Sequence, residues 1–311
     1  MKTPGSIRIG TRGSNLARWQ ADWVAEQLRS GGIDVELITI ATQGDQQATG
    51  PVGGLGNTGV FTKEIQRALL EGKIDLAVHS LKDLPTERVD GLSLVAVPRR
   101  AACIDVLLSQ GHRTLQQLPS ESRIGTGSIR RQAQILFLRK DVRVLNIRGN
   151  VETRIGKLNH GEYDAIVLAQ AGLDRLGLAH HISHVFAMNE MLPAVGQGAL
   201  GLESRSEDER VRACVQTLDH LPSHQAVLAE RALLAHLRGG CLAPIGAWGK
   251  VNDAGRLQLD AVVLDAKGTK RLTQSQQAPA QEAVALGEEV AEELLRQGAA
   301  SLLDAARESE N

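Results

Sequence analysis

The sequence predicts an α/β protein: two similar doubly wound α/β domains facing a cleft, then a small α+β C-terminal domain with a three-stranded antiparallel sheet. Three observations carry this. Short apolar runs alternate with helical patterns as far as about residue 217, the rhythm of strands joined by crossover helices. Two pieces of the first half return in the second: Arg8-Ile-Gly-Thr-Arg-Gly-Ser14 is echoed by Arg123-Ile-Gly-Thr-Gly-Ser128, and Gly72-Lys-Ile-Asp-Leu-Ala-Val78 by Gly161-Glu-Tyr-Asp-Ala-Ile-Val167. Near the C-terminus, alternating stretches flank Asn252-Asp-Ala-Gly255 and Asp265-Ala-Lys-Gly268, the turns of an antiparallel meander. The expected domains are 1–98 with 199–217, 103–193 and 221–311.

At 311 residues, 42% apolar and 23% charged, the chain can bury a large core divided among two or three domains. A net charge of −1 gives no overall basic field for nucleic acid or an anionic membrane, so an anion site must be a local cluster of arginines. The cysteines are Cys103, Cys214 and Cys241. Their odd number and the lack of C-x-x-C spacing argue against a disulfide framework or a zinc site. The first residues hold no apolar signal core and no run reaches membrane-spanning length, so a cytoplasmic protein without a bound metal is expected.

Ser6 to Gly10 reads as a strand, and Asn15 to Ser30 as a helix whose face is Leu16, Trp19, Trp23, Val24 and Leu28, stopped by Gly31. The turn between them, with Arg12 and Ser14, leads to a helix N-terminus whose free N–H groups can receive an anion; a plain turn with a solvated arginine is the alternative. Val35 to Ala41 is the next strand. The polar loop after it, Gln43 to Gly59, has the composition of a mobile lid. Gly54-Leu-Gly-Asn-Thr-Gly59 satisfies G-x-G-x-x-G and opens a helix, Phe61 to Leu70, but no strand precedes it as dinucleotide binding requires. Lys73 to Val78 is a buried strand. Ser80, Lys82 and Asp83 follow at its carboxyl end, where open α/β sheets bind ligands. His79 reads as a packed or solvated histidine, and Asp83 has the alternative of starting a turn before Pro85. Leu92 to Val97 completes this unit, and Pro98 to Ala102 is the crossover.

The second unit supplies the basic groups. Thr126 and Ser128 precede a helix whose first turn carries Arg130 and Arg131, where positive charge opposes the helix dipole and a bound anion supplies a reason. Arg148 and Arg154 follow another strand, and Arg175 is a fifth candidate; each taken singly reads equally as a solvated surface arginine. Two similarly built domains facing one cleft, in the manner of periplasmic binding proteins, are a common home for a ligand.

Asp208 to Leu218 reads as a helix. A second starts at Pro222, presents Ala226, Leu228, Ala232, Leu233 and Leu237, and ends at Gly239-Gly240. Strands are expected at Ala247 to Val251, Arg256 to Leu264 and Thr269 to Gln274, covered by a helix from Gln281 to Arg307 loosened near Gly298. Cys241 lies in Leu237-Arg-Gly-Gly-Cys-Leu-Ala-Pro-Ile-Gly-Ala-Trp248. Free cysteines are commonly small buried hydrophobes, but glycines on one side and Ala-Pro on the other leave this one little to pack into.

Val78-His-Ser-Leu-Lys-Asp-Leu-Pro85, Gly125-Thr-Gly-Ser-Ile-Arg-Arg-Gln132, Arg148-Gly-Asn-Val-Glu-Thr-Arg154, Pro193-Ala-Val-Gly-Gln-Gly198 and Gly239-Gly-Cys-Leu-Ala-Pro-Ile-Gly246 together resemble the motifs of the porphobilinogen deaminase family, in that family's order. The resemblance implies head-to-tail condensation of four porphobilinogen molecules with release of ammonia, then hydrolysis to free hydroxymethylbilane, a step of tetrapyrrole and heme biosynthesis. It implies a dipyrromethane cofactor joined to Cys241 by a thioether, with Asp83 as the catalytic carboxylate. It also implies that Arg12, Ser14, Ser80, Lys82, Thr126, Ser128, Arg130, Arg131, Arg148, Arg154 and Arg175 bind cofactor and substrate, in a monomer with no nucleic-acid or membrane partner. Two positions depart from the pattern. Thr58 precedes Gly59-Val-Phe61 where the family places a lysine, which Lys63 cannot be assumed to replace, and Gly127 stands where serine is common. A non-catalytic two-domain anion-binding protein is a rival reading that leaves Cys241 without a purpose, and a nucleotide-dependent oxidoreductase rests on Gly54, Gly56 and Gly59 alone.

Overall fold

The computed structural model describes residues 6–41, 62–239 and 243–308. The expected lid, with its G-x-G-x-x-G stretch, Thr58 and Phe61, lies outside the described residues, as does Cys241. The chain forms two compact units, Met1–Ala101 with Ala199–His224, and Ala102–Gly198 with Gln225–Asn311.

In chain order the first unit contains β1 (Ile7–Thr11), α1 (Asn15–Ser30), β2 (Val35–Thr39), α2 (Lys63–Leu70), β3 (Leu76–Ser80) and β4 (Leu92–Ala96). The second follows with β5 (Asp105–Ser109), β6 (Arg123–Gly125), α3 (Ile129–Leu138), β7 (Arg143–Leu145), α4 (Val151–Asn159), β8 (Ala165–Ala169), α5 (Gln170–Arg175) and β9 (His184–Val185). The chain then returns for β10 (Leu200–Arg205) and α6 (Glu209–Val215), and α7 (Leu221–His236) leads to β11 (Ile245–Val251), β12 (Arg256–Leu264), β13 (Arg271–Pro279), α8 (Ala283–Arg296) and α9 (Ala299–Glu308).

The two larger sheets share one plan. Their orders are β2-β1-β3-β10-β4 and β7-β6-β8-β5-β9. In each, the central strand of a parallel trio comes from the repeated Arg-Ile-Gly, and one antiparallel strand, β10 or β5, pairs on both sides. The echoed residues form the same clip twice. Arg8 donates through its backbone N–H, Nε and Nη2 to Asp75 at 2.8–3.1 Å, and Arg123 donates through the same three groups to Asp164 at 2.7–3.2 Å. Gly72 and Gly161, at φ of 68° and 77°, make the left-handed turn before each aspartate, which a side chain at that position would strain.

β3 is buried on both faces at Leu76, Ala77 and Val78, and it starts and ends later than the expected Lys73 to Val78, so that His79 and Ser80 belong to the strand. α1 covers this sheet with Ala21, Val24, Ala25 and Leu28 packed on Ile7, Ile9, Leu76 and Val78. The expected face is corrected: Trp19 is 37% exposed, because the small side chains of Ala21 and Ala25 let the helix lie close to the sheet on an adjacent stripe.

In the second unit the antiparallel sheet β11-β12-β13 is covered by α7, α8 and α9, with Leu233, Leu237, Leu257, Leu259, Val290, Leu294 and Leu303 in one cluster. β13 runs on to Pro279, and α8 and α9 are separate helices broken at Gly298, whose φ is 100°. The predicted face of α7 also shifts, since Leu228 and Ala232 are only half buried while Val227, Ala229 and Glu230 are buried. Helix α6 is shorter than expected and passes into a single 3₁₀ turn at Gln216–Leu218. No helix among the described residues is long and apolar enough to cross a membrane.

Candidate functional site

Because β1 and β3 are parallel neighbours, the segments leaving their carboxyl ends emerge along one edge. There an open cavity is lined by Arg12, Ser14, Gln20, Thr62, His79, Ser80 and Asp83, with Leu16, Ala17, Ile65 and Val78 as its apolar wall. Ser14 caps α1 by accepting the Ala17 N–H at 3.4 Å. Ser80 exchanges hydrogen bonds with Gln20, receiving one from Nε2 at 2.8 Å and donating to Oε1 at 3.1 Å. Asp83 rides on a single 3₁₀ turn, Leu81–Asp83, fixed by the buried Leu81, whose N–H donates to Ala199 O at 3.0 Å. Its carboxylate is half buried and, among the described residues, meets no lysine or arginine side chain within ion-pair distance. Lys82 is on the same turn but is not part of the cavity lining.

Two residues of this site escaped the sequence reading. Gln20 is 2% exposed and holds Ser80; a polar residue inside the apolar stripe of α1 was the available signal. Glu203 of β10 is buried against His79 at 3.0 Å and Gln66 at 3.0 Å, a partnership that depends on a strand returning from more than a hundred residues away.

In the second unit β7, β6 and β8 are parallel neighbours, so the segments following them also leave one edge. Thr126 is buried and accepts the Ser128 N–H at 3.2 Å, and Ser128 caps α3 by accepting the Arg131 N–H at 3.4 Å. Arg130 and Arg131 are buried on Asp105 of β5, at 2.7 Å from Oδ2 and 2.7 Å from Oδ1, and Gln197 donates to the same carboxylate at 2.9 Å. Burial alone would raise the Asp105 carboxyl, but the two guanidinium groups hold it well below the usual carboxylate range. Burial lowers Arg130, with Asp105 opposing.

An internal carboxylate thus answers one of the two charges for which a bound anion supplied a reason in the sequence. Among the described residues one positive charge remains, and the buried Nε–H of Arg130 has no hydrogen-bond partner. Gly127 lies where a Cβ would stand 3.1 Å from the Ile147 carbonyl, so the backbone there has drawn close in the absence of a side chain. Arg148 is exposed, Arg154 is half buried and donates from Nε to Gly149 O at 2.8 Å, and Arg175 donates from Nη2 to Gly198 O at 2.8 Å. Burial pulls the Arg175 guanidinium down to about 10, with Asp174 partly opposing.

The chain was compared with known proteins. A family model described as "Porphobilinogen deaminase, dipyromethane cofactor binding domain" matches residues 7–213, and one described as "Porphobilinogen deaminase, C-terminal domain" matches residues 224–296. The chain is 46% identical over 299 residues to the porphobilinogen deaminase of Desulforudis audaxviator, covering 96% of each. It is 45% identical over 302 residues to that of Geobacter metallireducens, covering 96% of this chain and 94% of the relative. Among solved structures, an ABC transporter periplasmic substrate-binding protein from Coxiella burnetii overlays with a TM-score of 0.43 at 16% identity, covering 72% of this chain and 94% of that one.

Proposed function

The chain belongs to the porphobilinogen deaminase family, and from that premise we propose that Asp83 holds and moves the protons of pyrrole condensation while the arginines at the two sheet edges bind substrate and cofactor carboxylates. The observation that carries this reading is the half-buried Asp83 carboxylate, fixed on a short turn in the same cavity as Arg12.

The family's cofactor is a dipyrromethane. The residues present suit it: among the described residues the Asp105 cluster keeps one uncompensated positive charge and an unpartnered Arg130 Nε–H, which complement an acidic side chain. Thr126, Ser128, Arg130, Arg131, Arg148, Arg154 and Arg175 would hold it, and Cys241 would attach it covalently. When bound, it supplies the pyrrole carbon from which the chain is extended.

The protein's own groups do the rest. A carboxylate at Asp83 accepts a pyrrole N–H and opposes the positive charge left on porphobilinogen as ammonia departs, help placed where charge develops. Arg12, Ser14, Ser80 and Lys82 are donors for the acetate and propionate of that substrate. Charge-assisted hydrogen bonds contribute roughly 1.5–3 kcal/mol each, so several together retain a lengthening polyanion that no single pair would. The three-domain division at 1–98 with 199–217, 103–193 and 221–311 is supported by a main hydrophobic cluster in each part, while Ala133 and Leu192 of the second also pack with Val262 and Leu264 of the third. We propose a cytoplasmic enzyme acting as a monomer; the odd number of cysteines without C-x-x-C spacing supports the reducing compartment. Asp83→Asn keeps the shape and removes the base: porphobilinogen consumption by the holoenzyme should fall by about 10²–10⁴-fold. Near-normal turnover would remove Asp83 from its role.

A further inference from the structure

One family motif, Pro193-Ala-Val-Gly-Gln-Gly198, holds none of the groups assigned to binding or catalysis. With Leu192 before it, this segment nonetheless serves three of the arginines. Leu192 O accepts from Arg130 Nη1 at 2.6 Å, and Gly198 O accepts from Arg175 Nη2 at 2.8 Å. Gln197 Nε2 donates at 2.9 Å to Asp105, the carboxylate that Arg130 and Arg131 share. Gly196 and Gly198, at φ of 71° and 83°, keep the segment in turns, so no helix or strand of its own holds it in place.

The contact that fixes it comes from α7. Glu230 is completely buried there, in a stripe otherwise made of Ala226, Ala229 and Leu233. Its Oε2 accepts the Gly196 N–H at 2.7 Å, and its Oε1 accepts the Gly249 N–H of β11 at 2.7 Å. The strand is within reach because it lies against the helix: a Cβ at Gly249 would stand 2.7 Å from the carbonyl of Ala226, one turn before Glu230. β11 meets the segment as well, through the Ala247 N–H donating to Pro193 O at 3.0 Å. A carboxyl group out of water is tolerated where its oxygens are hydrogen-bonded, and an apolar side chain would fill the stripe without that requirement. Packing therefore gives no reason for Glu230; the two amides it fixes do.

We propose that Glu230 is a positioning residue for the arginine cluster: by holding the Gly196 amide against α7 and β11, it fixes the segment whose carbonyls and Gln197 set Arg130, Arg131 and Arg175. Its consequence for binding rests on the reading of these arginines as donors to substrate and cofactor carboxylates; its hold on their geometry does not. Glu230→Gln keeps the volume of the side chain but turns an NH₂ toward one of the two N–H groups. That amide loses its acceptor and two donors face each other, so the segment shifts and the arginines it serves shift with it.

The test is the ¹⁵N spectrum of the arginine Nε–H groups in the full-chain holoenzyme, with the Arg130 and Arg131 signals identified by their loss in Arg130→Lys and Arg131→Lys. In Glu230→Gln both signals should move, and KM for porphobilinogen should rise about tenfold or more, the loss of one charge-assisted hydrogen bond, with kcat changed less. A purely structural role would lower the urea midpoint and the active fraction while leaving KM and the arginine signals of the folded protein where they were. Unmoved arginine signals or an unchanged KM in the folded variant therefore overturn the proposal. Glu230→Asp, which keeps both acceptor oxygens one methylene further back, should show smaller changes of the same sign, and it carries the same test where Glu230→Gln fails to fold. Failure of the functional reading is separately visible, as a wild-type protein that does not consume porphobilinogen while its arginine signals still respond to Glu230→Gln.

Discussion

Asp105 is the residue on which the second unit's site depends most. It is completely buried and accepts from Arg130, Arg131 and Gln197, so removing it leaves two guanidinium groups out of water without their counter-charge. Breaking such a buried arrangement costs about 3–5 kcal/mol. Asp105→Ala should lower the urea midpoint accordingly, and Arg131→Met in the same chain should restore part of the loss; an unchanged midpoint in Asp105→Ala would contradict the assignment. The sequence showed Arg130 and Arg131 as a charge in need of an answer. It did not show the answer, because Asp105 sits on a strand that is not adjacent to α3 in sequence and has no pattern of its own. Gln20 and Glu203 went unseen for the same reason: a buried polar residue is recognised by its partners, and partners come with tertiary structure.

The Arg–Asp clips belong to the scale of whole elements, because each ties the start of a central strand to the turn that feeds its neighbour. They are not equal. Asp75 is buried and also receives Arg205 at 2.9 Å, while Asp164 is more open to water and has Arg123 as its cation. Asp75→Asn should therefore cost about 3–5 kcal/mol and Asp164→Asn about 1 kcal/mol or less by thermal or urea unfolding. Burial raises the Asp75 carboxyl, but the hydrogen bonds from Arg8 and Arg205 outweigh it and bring it from 3.8 to about 2. A depressed carboxyl contributes stability above its unfolded value that is lost as pH falls, so this clip should weaken between about pH 4 and 2, and Asp75→Asn should remove that part of the acid sensitivity. Most helix and strand identities in the first unit and the C-terminal part were legible from periodicity, down to the break at Gly298, whereas β5, β9, β10 and α5 were not read. The face of α1 was not legible, since Trp19 and Trp23 outweigh Ala21 and Ala25 in any hydrophobic count, whereas close packing favours the small residues.

For the whole molecule, the repeat was legible because the repeated residues are the ones that turn and clip the strands: Arg8 and Arg123, Gly72 and Gly161, Asp75 and Asp164, Ser14 and Ser128. The strands β5 and β10 were not read from the sequence at all, and an apolar run would not have stated that they are the antiparallel members of their sheets. We propose that this chain is a covalent-cofactor enzyme whose chemistry starts from Cys241. The measurement that tests it most directly is the intact mass of the purified protein with peptide mapping of Cys241, before and after brief exposure to porphobilinogen. An adduct of two linked pyrrole units on Cys241, followed by a ladder of further units, is the result expected. A Cys241 that is unmodified and remains so when porphobilinogen is supplied would contradict it.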